Sequence, residues 1–404
     1  MGRAKLLLTP FLHCSLMSYT RLVLVAGFAM FSMFFGSGNL VFPLMIGVKS
    51  LDQFHIASIG LLITGVLVPF LGLLSMIYYS GNRQLFFKSL GAPAAFVLTF
   101  AMLSLMGPFG VLPRCIIVAH GGVDLVFNGL SAPIFNGIFC VITAFLAWHR
   151  SKIIELIGTF LTPLLLLGVF ALIIAGVLLG PPPTASTLTT SGALTAGLLQ
   201  GYQTMDLLAA FFFSATTVIF IAQALNTHED KQNLERLSLT ASLIGAFLLS
   251  LVYLGFVYLG AKYAPTLCHV APEKLLVAIA EQSLGSIALP LAAIVIALAT
   301  LTTATILASL FADFLQKDML QEKIPRWLAL IITLIIAYTF SLLGFSDLAN
   351  WIANALIIAY PALIGYALAK IIAKKTGHKY AREVFWLILL ASIVAKVLAH
   401  LGAF

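Results

Sequence analysis

Charge is scarce in this chain. Asp, Glu, Lys and Arg make up 9% of its 404 residues, while 61% are hydrophobic. Soluble domains carry about 25% charged residues, so that class is excluded. Cysteine is scarce too, with four in all. Cys115 and Cys140 lie in apolar runs, Cys14 near the N-terminus and Cys268 between runs. That placement makes neither a disulfide framework nor a zinc spacing. No phosphate-binding loop of the G-x-x-x-x-G-K-[ST] type occurs, so direct use of ATP is not expected. No acid pair, nucleophile with base, or metal cluster is visible, and no enzyme is expected. His120, His149 and His228 sit at the ends of apolar runs, where placement at a membrane interface explains them. The net charge is +8, but the basic residues fall in short segments between apolar runs. Topological signals and lipid headgroup contacts account for them, and nucleic acid is not an expected partner.

What is present is apolar sequence in lengths that suit a bilayer, about 20 residues each. Eleven candidate spans run over about 20–48, 55–79, 94–119, 131–148, 153–179, 206–226, 238–261, 284–312, 326–343, 348–372 and 383–403. The expected fold is an all-α polytopic membrane protein in one domain over 1–404. The segments after even-numbered spans are basic. With Arg3, Lys5 and Arg21 they collect 17 of the 22 Lys and Arg, against Lys49, Lys262, Lys274 and Lys396 on the other side. That excess places the N-terminus in the cytoplasm and, with eleven spans, the C-terminus outside. The Leu6-Leu7-Leu8 run is too short for a signal-peptide core, and Met17 is an alternative start to Met1.

One run stands out. Phe34-Phe35-Gly36-Ser37-Gly38-Asn39-Leu40-Val41-Phe42-Pro43 interrupts the first span. Each glycine weakens a helix by about 1 kcal/mol relative to Ala, and Pro43 removes a donor one turn later. A helix broken at mid-membrane is tolerated where it is buried in protein or lines a cavity. Such breaks hold the substrate in secondary transporters. The longest uncharged loop, Gly180 to Gly201, follows the fifth span. It divides the chain into five plus five spans, about 20–179 and 206–372, with one extra span at 383–403. Two halves of five spans have opposite orientations, an inverted repeat. The sixth span would then be interrupted as well. It contains Ser214-Ala215-Thr216-Thr217 at its centre, and hydroxyls of that kind satisfy backbone groups freed by unwinding. The alternative is an ordinary packing face of small residues.

These residues resemble the branched-chain amino acid carrier family, cation-coupled symporters of leucine, isoleucine and valine. The resemblance rests on Gly27-Phe28 to Gly47, on Gly107-Pro108-Phe109-Gly110-Val111-Leu112-Pro113-Arg114, on Tyr202-Gln203-Thr204-Met205-Asp206, and on Leu301-Thr302-Thr303-Ala304. It implies a LeuT-type five-plus-five plan in the plasma membrane (the inner membrane of a bacterium). It implies no cofactor beyond a coupling ion, Na⁺ or H⁺, and no obligatory protein partner. The family usually has twelve spans and eleven are counted here, a difference that bears on assembly rather than on the repeat core.

A zwitterionic amino acid needs donors for its carboxylate, acceptors for its ammonium and an apolar pocket for its side chain. Exposed amides at Gly36, Ser37, Gly38 and Asn39 suit the carboxylate. Carbonyls around Ser32 to Phe35 and around Phe213, Ser214 and Thr216 suit the ammonium or a cation. Phe109, Phe211, Phe212 and Phe213 are candidate pocket walls, with ordinary packing as the alternative for any one phenylalanine. By resemblance to LeuT-type transporters, Ala299, Thr302 and Thr303 with carbonyls of Ser32 and Phe35 make a sodium site. The alternative for these threonines is a bond back to the carbonyl a turn earlier. No second sodium site is expected, because Thr240 to Ala261 contains no amide side chain. Arg114 and Asp206 are charges at spans and therefore functional candidates. They suit an outer gate; alternatively Asp206 is an N-cap and Arg114 snorkels. Asp206 is also the best proton-coupling candidate. Methionine or an aromatic amino acid is an alternative cargo. A channel lacks its polar ring, and an intramembrane enzyme lacks its catalytic pair.

Overall fold

The computed structural model describes residues 19–126, 129–148, 161–225, 231–377 and 380–400. Every element among them is helical. Seven helical stretches are long and apolar enough to cross a membrane, and Tyr19–Phe34, Ala132–Trp148 and Arg326–Ser341 are shorter apolar helices. With Ala381–His400 they fill, in chain order, the places of the eleven expected spans. Cys14, Met17, His149, His228 and the start of the expected fifth span lie outside the described residues.

Span one is broken as its glycines dictate. Helix α1 (Tyr19–Phe34) ends, Phe35 and Gly36 cross over, and α2 (Ser37–Ser50) begins. Leu40 N–H bonds the Gly36 carbonyl at 3.1 Å, so Ser37, Gly38 and Asn39 present amides with no helical acceptor. Pro43 sits inside α2 and leaves the Asn39 carbonyl without its donor four residues on. Span two is α3 (Phe54–Leu62) and α4 (Val68–Ile77), joined by one π turn over Ile63–Leu67. A short helix, α5 (Arg83–Phe87), precedes span three. That span was expected to be continuous over 94–119. It is broken at Gly107–Gly110 into α6 (Ala92–Met106) and α7 (Val111–Asp124). At Gly110 a Cβ would overlap the Leu105 carbonyl, so the turn closes only with glycine there. Spans four and five are α8 (Ala132–Trp148) and α9 (Thr162–Leu179).

Span six corrects two expectations. The uncharged stretch Gly180 to Gly201 is a loop only as far as Thr189. Thr189 caps α10 (Thr190–Gln203) by accepting from Gly192 N–H at 3.1 Å. The break falls at Thr204-Met205, where Met205 takes a left-handed conformation with φ of 63°. Helix α11 (Asp206–Ala224) then runs unbroken through Ser214–Thr217, where unwinding was expected. The Thr217 hydroxyl bonds back to the Phe213 carbonyl at 3.2 Å and Thr216 to Phe212 at 3.4 Å. These hydroxyls decorate a helix rather than replace one.

Span seven is α12 (Lys231–Leu267), followed by a short helix, α13 (Leu275–Leu284), in a stretch read as loop. Spans eight to eleven are α14 (Leu289–Phe314), α15 (Arg326–Ser341), α16 (Phe345–Thr376) and α17 (Ala381–His400). The packing exchanges the two halves of the chain. Both halves of span one, α2 above all, pack along span seven, and both halves of span six pack along span two. Span three packs against span eight. Pairing that survives the swap of one with six, two with seven and three with eight is what an inverted repeat requires. Crossings between spans seven and one are close enough that a Cβ on Gly47 would overlap the Val257 carbonyl, and one on Gly260 the Leu44 carbonyl.

Candidate functional site

The two breaks meet. A Cβ on Gly38 would lie 3.3 Å from Thr204 Cα, so the amide-bearing start of α2 abuts the crossover of span six. Around this junction lies a buried polar network in an apolar surround. Asn39 is 2% exposed, Asp206 2% and Tyr253, from span seven, 0%. Asn39 Nδ2 donates to both Asp206 carboxylate oxygens, at 3.1 and 2.9 Å, and contacts the Tyr253 hydroxyl. Tyr253 donates to Asp206 Oδ2 at 2.7 Å. Gly36 N–H donates to Asn39 Oδ1 at 3.3 Å. Asn39 thus ties the first break to the second, with its carbonyl oxygen to one and its amide nitrogen to the other. The Asp206 carboxylate is neither an N-cap nor solvated. It is the first residue of α11 and accepts from two other spans.

Arg114 lies beside the same junction at 0% exposure. It stands four residues past the break in span three and does not reach the headgroups, so snorkelling is ruled out. Its Nη1 donates to the Gln203 carbonyl at 3.1 Å and its Nη2 to the Met205 sulfur at 2.9 Å. Its guanidinium carbon lies 5.3 Å from the centre of the Phe42 ring. Arg114 and Asp206 flank residues 203–205 but form no ion pair with each other.

The residues expected to bind a cation divide. Thr302 Oγ1 donates to the Leu298 and Ala299 carbonyls at 2.8 and 3.1 Å. That is the back-bonded arrangement, and it leaves oxygen lone pairs on the hydroxyl. Thr303 faces the first break: a Cβ on Gly36 would come within 2.9 Å of Thr303 Oγ1. The Thr303 hydroxyl is buried without a hydrogen-bond partner, as is that of Ser32 one turn before the break. Ala299 and Phe35 are both buried, at 0% exposure. Ser37 accepts from the Cys115 thiol at 3.5 Å. Phe213 packs edge-on against Phe34 at 5.6 Å between ring centres. Ser214 is buried with its hydroxyl unpartnered, and Thr216 is half-buried. Phe213, Ser214 and Thr216 stand two or more helical turns beyond the break, so their backbone carbonyls belong to α11 and are not freed by it. Phe109 packs against Phe340 at the rim of the span-three break. Phe211 and Phe212 point elsewhere, to Phe86 and to Arg83.

Several residues of the junction escaped the reading of the sequence. Tyr253 is one of several hydroxyl residues in span seven, with Ser242, Ser250 and Tyr258, and nothing in the sequence sets it apart from them. Gln203 and Met205 belong to a stretch read as the head of a span rather than its break. Tyr360 is fully buried in span ten, its hydroxyl unpartnered and its ring 4.8 Å from that of Tyr202. A shallow apolar groove lies between spans one, two and seven, lined by Met30, Phe34, Pro69, Phe70, Leu73 and Leu249 among others. Its one polar residue, Ser242, already bonds the Ser238 carbonyl at 2.6 Å. It carries no group suited to a zwitterion, and the junction does.

Known proteins share both the fold and the sequence. MhsT, solved in complex with L-phenylalanine, superposes with a TM-score of 0.61, covering 94% of this chain and 98% of that one at 15% identity. Mhp1, a nucleobase-cation-symport-1 family transporter in a closed conformation with bromovinylhydantoin bound, gives 0.59 over 93% and 91% at 15% identity. At that identity the likeness is one of fold. In sequence, the branched-chain amino acid permease BrnQ of Corynebacterium glutamicum is 28% identical over 344 residues, 84% of this chain and 77% of that protein. A putative branched-chain amino acid carrier protein of Staphylococcus aureus is 27% identical over 405 aligned residues, covering 94% and 88%. The family model described as branched-chain amino acid transport protein matches residues 19–404, and the chain belongs to that family of integral membrane transporters.

Proposed function

We infer that this protein is a secondary symporter that imports leucine, isoleucine and valine, driven by a gradient of sodium or protons. The observation that carries the reading is the junction of two helix breaks, where the start of α2, with its free amides, abuts the crossover of span six beside a buried carboxylate and a buried guanidinium. A zwitterion with an apolar side chain matches that set. The amides at the positive end of α2 suit a carboxylate. Acceptors at the crossovers suit an ammonium, with Gly36 and Gly38 allowing close approach. Phe34 and Phe213 offer an apolar wall beside the first break. The names of the relatives point to the same cargo.

For the ion, two buried hydroxyls without partners are available, Ser32 near the end of α1 and Thr303 in the middle of span eight. Unpartnered buried oxygens are costly, and a monovalent cation would satisfy them together with the Phe35 and Ala299 carbonyls and Thr302. Asp206 is the alternative seat for a proton. The basic segments put the N-terminus in the cytoplasm, and transport is by alternating access with spans one, two, six and seven moving against the rest. No organic cofactor or protein partner enters this scheme.

The test is uptake of radiolabelled leucine into proteoliposomes under an inward sodium gradient and, separately, an equal pH gradient. Sodium-driven accumulation lost in Thr303→Ala supports the site in span eight. Proton-driven accumulation lost in Asp206→Asn moves coupling to the carboxylate. Accumulation under neither gradient refutes the symporter reading.

A further inference from the structure

We propose that Arg114 binds the carboxylate of the amino-acid substrate. The proposal deepens the amino-acid reading above and rests on it. A guanidinium has five N–H donors and no acceptor. Arg114 is at 0% exposure, yet its Nε is buried without any partner. Of its two bonds, one goes to the Gln203 carbonyl at 3.1 Å and the other, at 2.9 Å, ends on the thioether of Met205. A thioether is a weak acceptor, and Phe42 beneath the plane supplies only its ring face. A buried charge so poorly satisfied is costly unless something else completes it. Asp206 does not, because its carboxylate is engaged by Asn39 and Tyr253.

The missing partner has the chemistry of a carboxylate. A planar fork with free Nε and Nη donors receives two oxygens at once. The helix that carries Arg114 packs on α2, whose first amides are free. A carboxylate held by the fork beside the junction would lie next to the amide-bearing start of α2. Met205 is the replaceable neighbour. It holds φ of 63°, an unusual conformation for a residue with a side chain, and its flexible side chain can leave the Arg114 Nη2 when a better acceptor arrives.

The experiment compares leucine with leucinamide, which keeps the ammonium and side chain but lacks the negative charge. Binding of each is measured by calorimetry on purified wild-type protein and on Arg114→Gln. Wild type should prefer leucine by roughly 10- to 100-fold, the range of a hydrogen-bonded charge. Arg114→Gln should erase that preference by weakening leucine while leaving leucinamide unchanged. Arg114→Lys, which keeps the charge but loses the fork, should retain part of it, and serves alone if the glutamine variant does not fold. Retention of the full preference in the variants overturns the proposal, as does an equal loss of both ligands from a folded variant. Wild type that binds neither ligand overturns the amino-acid reading itself, and this proposal with it.

Discussion

At the scale of single residues, the informative atoms are buried oxygens and nitrogens without partners. Thr303 gives a two-sided prediction. Its hydroxyl is buried and unpartnered beside Gly36. Thr303→Val replaces that hydroxyl with a methyl of similar size, so the ion-free protein should gain about 1 kcal/mol of stability. If the oxygen ligates sodium, the same change removes ion-induced stabilisation. A ligand at 100 times its Kd contributes about 2.7 kcal/mol, so wild type should show a sodium-dependent rise in Tm and Thr303→Val little. Thermal unfolding with and without sodium checks both halves. A variant that keeps the sodium effect refutes the ligand role. Tyr253 is the complementary case, a hydroxyl whose partner is charged. Tyr253→Phe removes its bond to Asp206 Oδ2 and should cost about 1.5–3 kcal/mol, seen as a lowered Tm and weaker leucine binding. Unchanged Tm and unchanged binding would place the network outside the site.

At the scale of elements, the molecule is held by two crossings of one kind. On one, Gly47 of α2 meets Gly260 of span seven; on the other, Gly60 of α3 meets Gly197 of α10. At each of these four positions a Cβ would overlap the backbone of the opposing helix. Close helix approach through small residues is how membrane helices pack without a hydrophobic drive. Gly260→Val and Gly197→Val should each cost about 1–3 kcal/mol, the penalty of overpacking, and lower the yield of folded protein in detergent. Normal Tm in either variant would show that the crossing can open at no cost. These elements also mark what the sequence makes legible. The first break is legible because Gly36, Gly38 and Pro43 each act locally. The break in span six is written in Met205, whose left-handed conformation no side-chain rule announces, while the hydroxyls of Ser214–Thr217 imitate a signal for unwinding. The span-three break rests on Gly107 and Gly110, visible as a motif but hidden inside an unbroken apolar run. Site residues followed suit: those on the first break fell at the junction, and those inferred from unwinding at 213–216 did not.

At the scale of the whole molecule, the alternating access proposed above requires that one end close while the other opens, and at the basic end a cluster of aromatic rings packs the helices together. Phe86 and Phe87 of α5 pack on Phe211 of α11, with ring centres at 5.5 and 5.7 Å, and on Tyr366 of span ten at 5.3 and 5.8 Å. Tyr366 donates to the Phe86 carbonyl at 2.6 Å and meets the Ser89 hydroxyl at 2.7 Å. Lys370 lies over Tyr79 at 4.2 Å and Phe86 at 5.6 Å, a cation–π arrangement that gains strength where water is excluded. Arg83 adds a second cation over Phe212 at 5.2 Å. Burial lowers its affinity for a proton, and nearby Asp318 partly offsets that. These contacts join α11 to span ten, which the proposed scheme sets as moving and fixed. Removing them should therefore open this end without touching the junction. Tyr366→Phe forfeits two hydrogen bonds, about 1–2 kcal/mol, which shifts a two-state equilibrium by about 5- to 30-fold. The shift is read with a cysteine introduced at Phe213 in a background without the native cysteines. Its labelling by a thiol reagent from the basic side should speed up in Tyr366→Phe, and excess leucine should slow it again. Orientation is read in a separate variant that keeps Cys268 as its one cysteine, since Cys268 is exposed at the opposite end and should react with an impermeant reagent added to intact cells. Labelling of Cys268 only after the cells are opened would invert the molecule and turn this cluster into an outer gate.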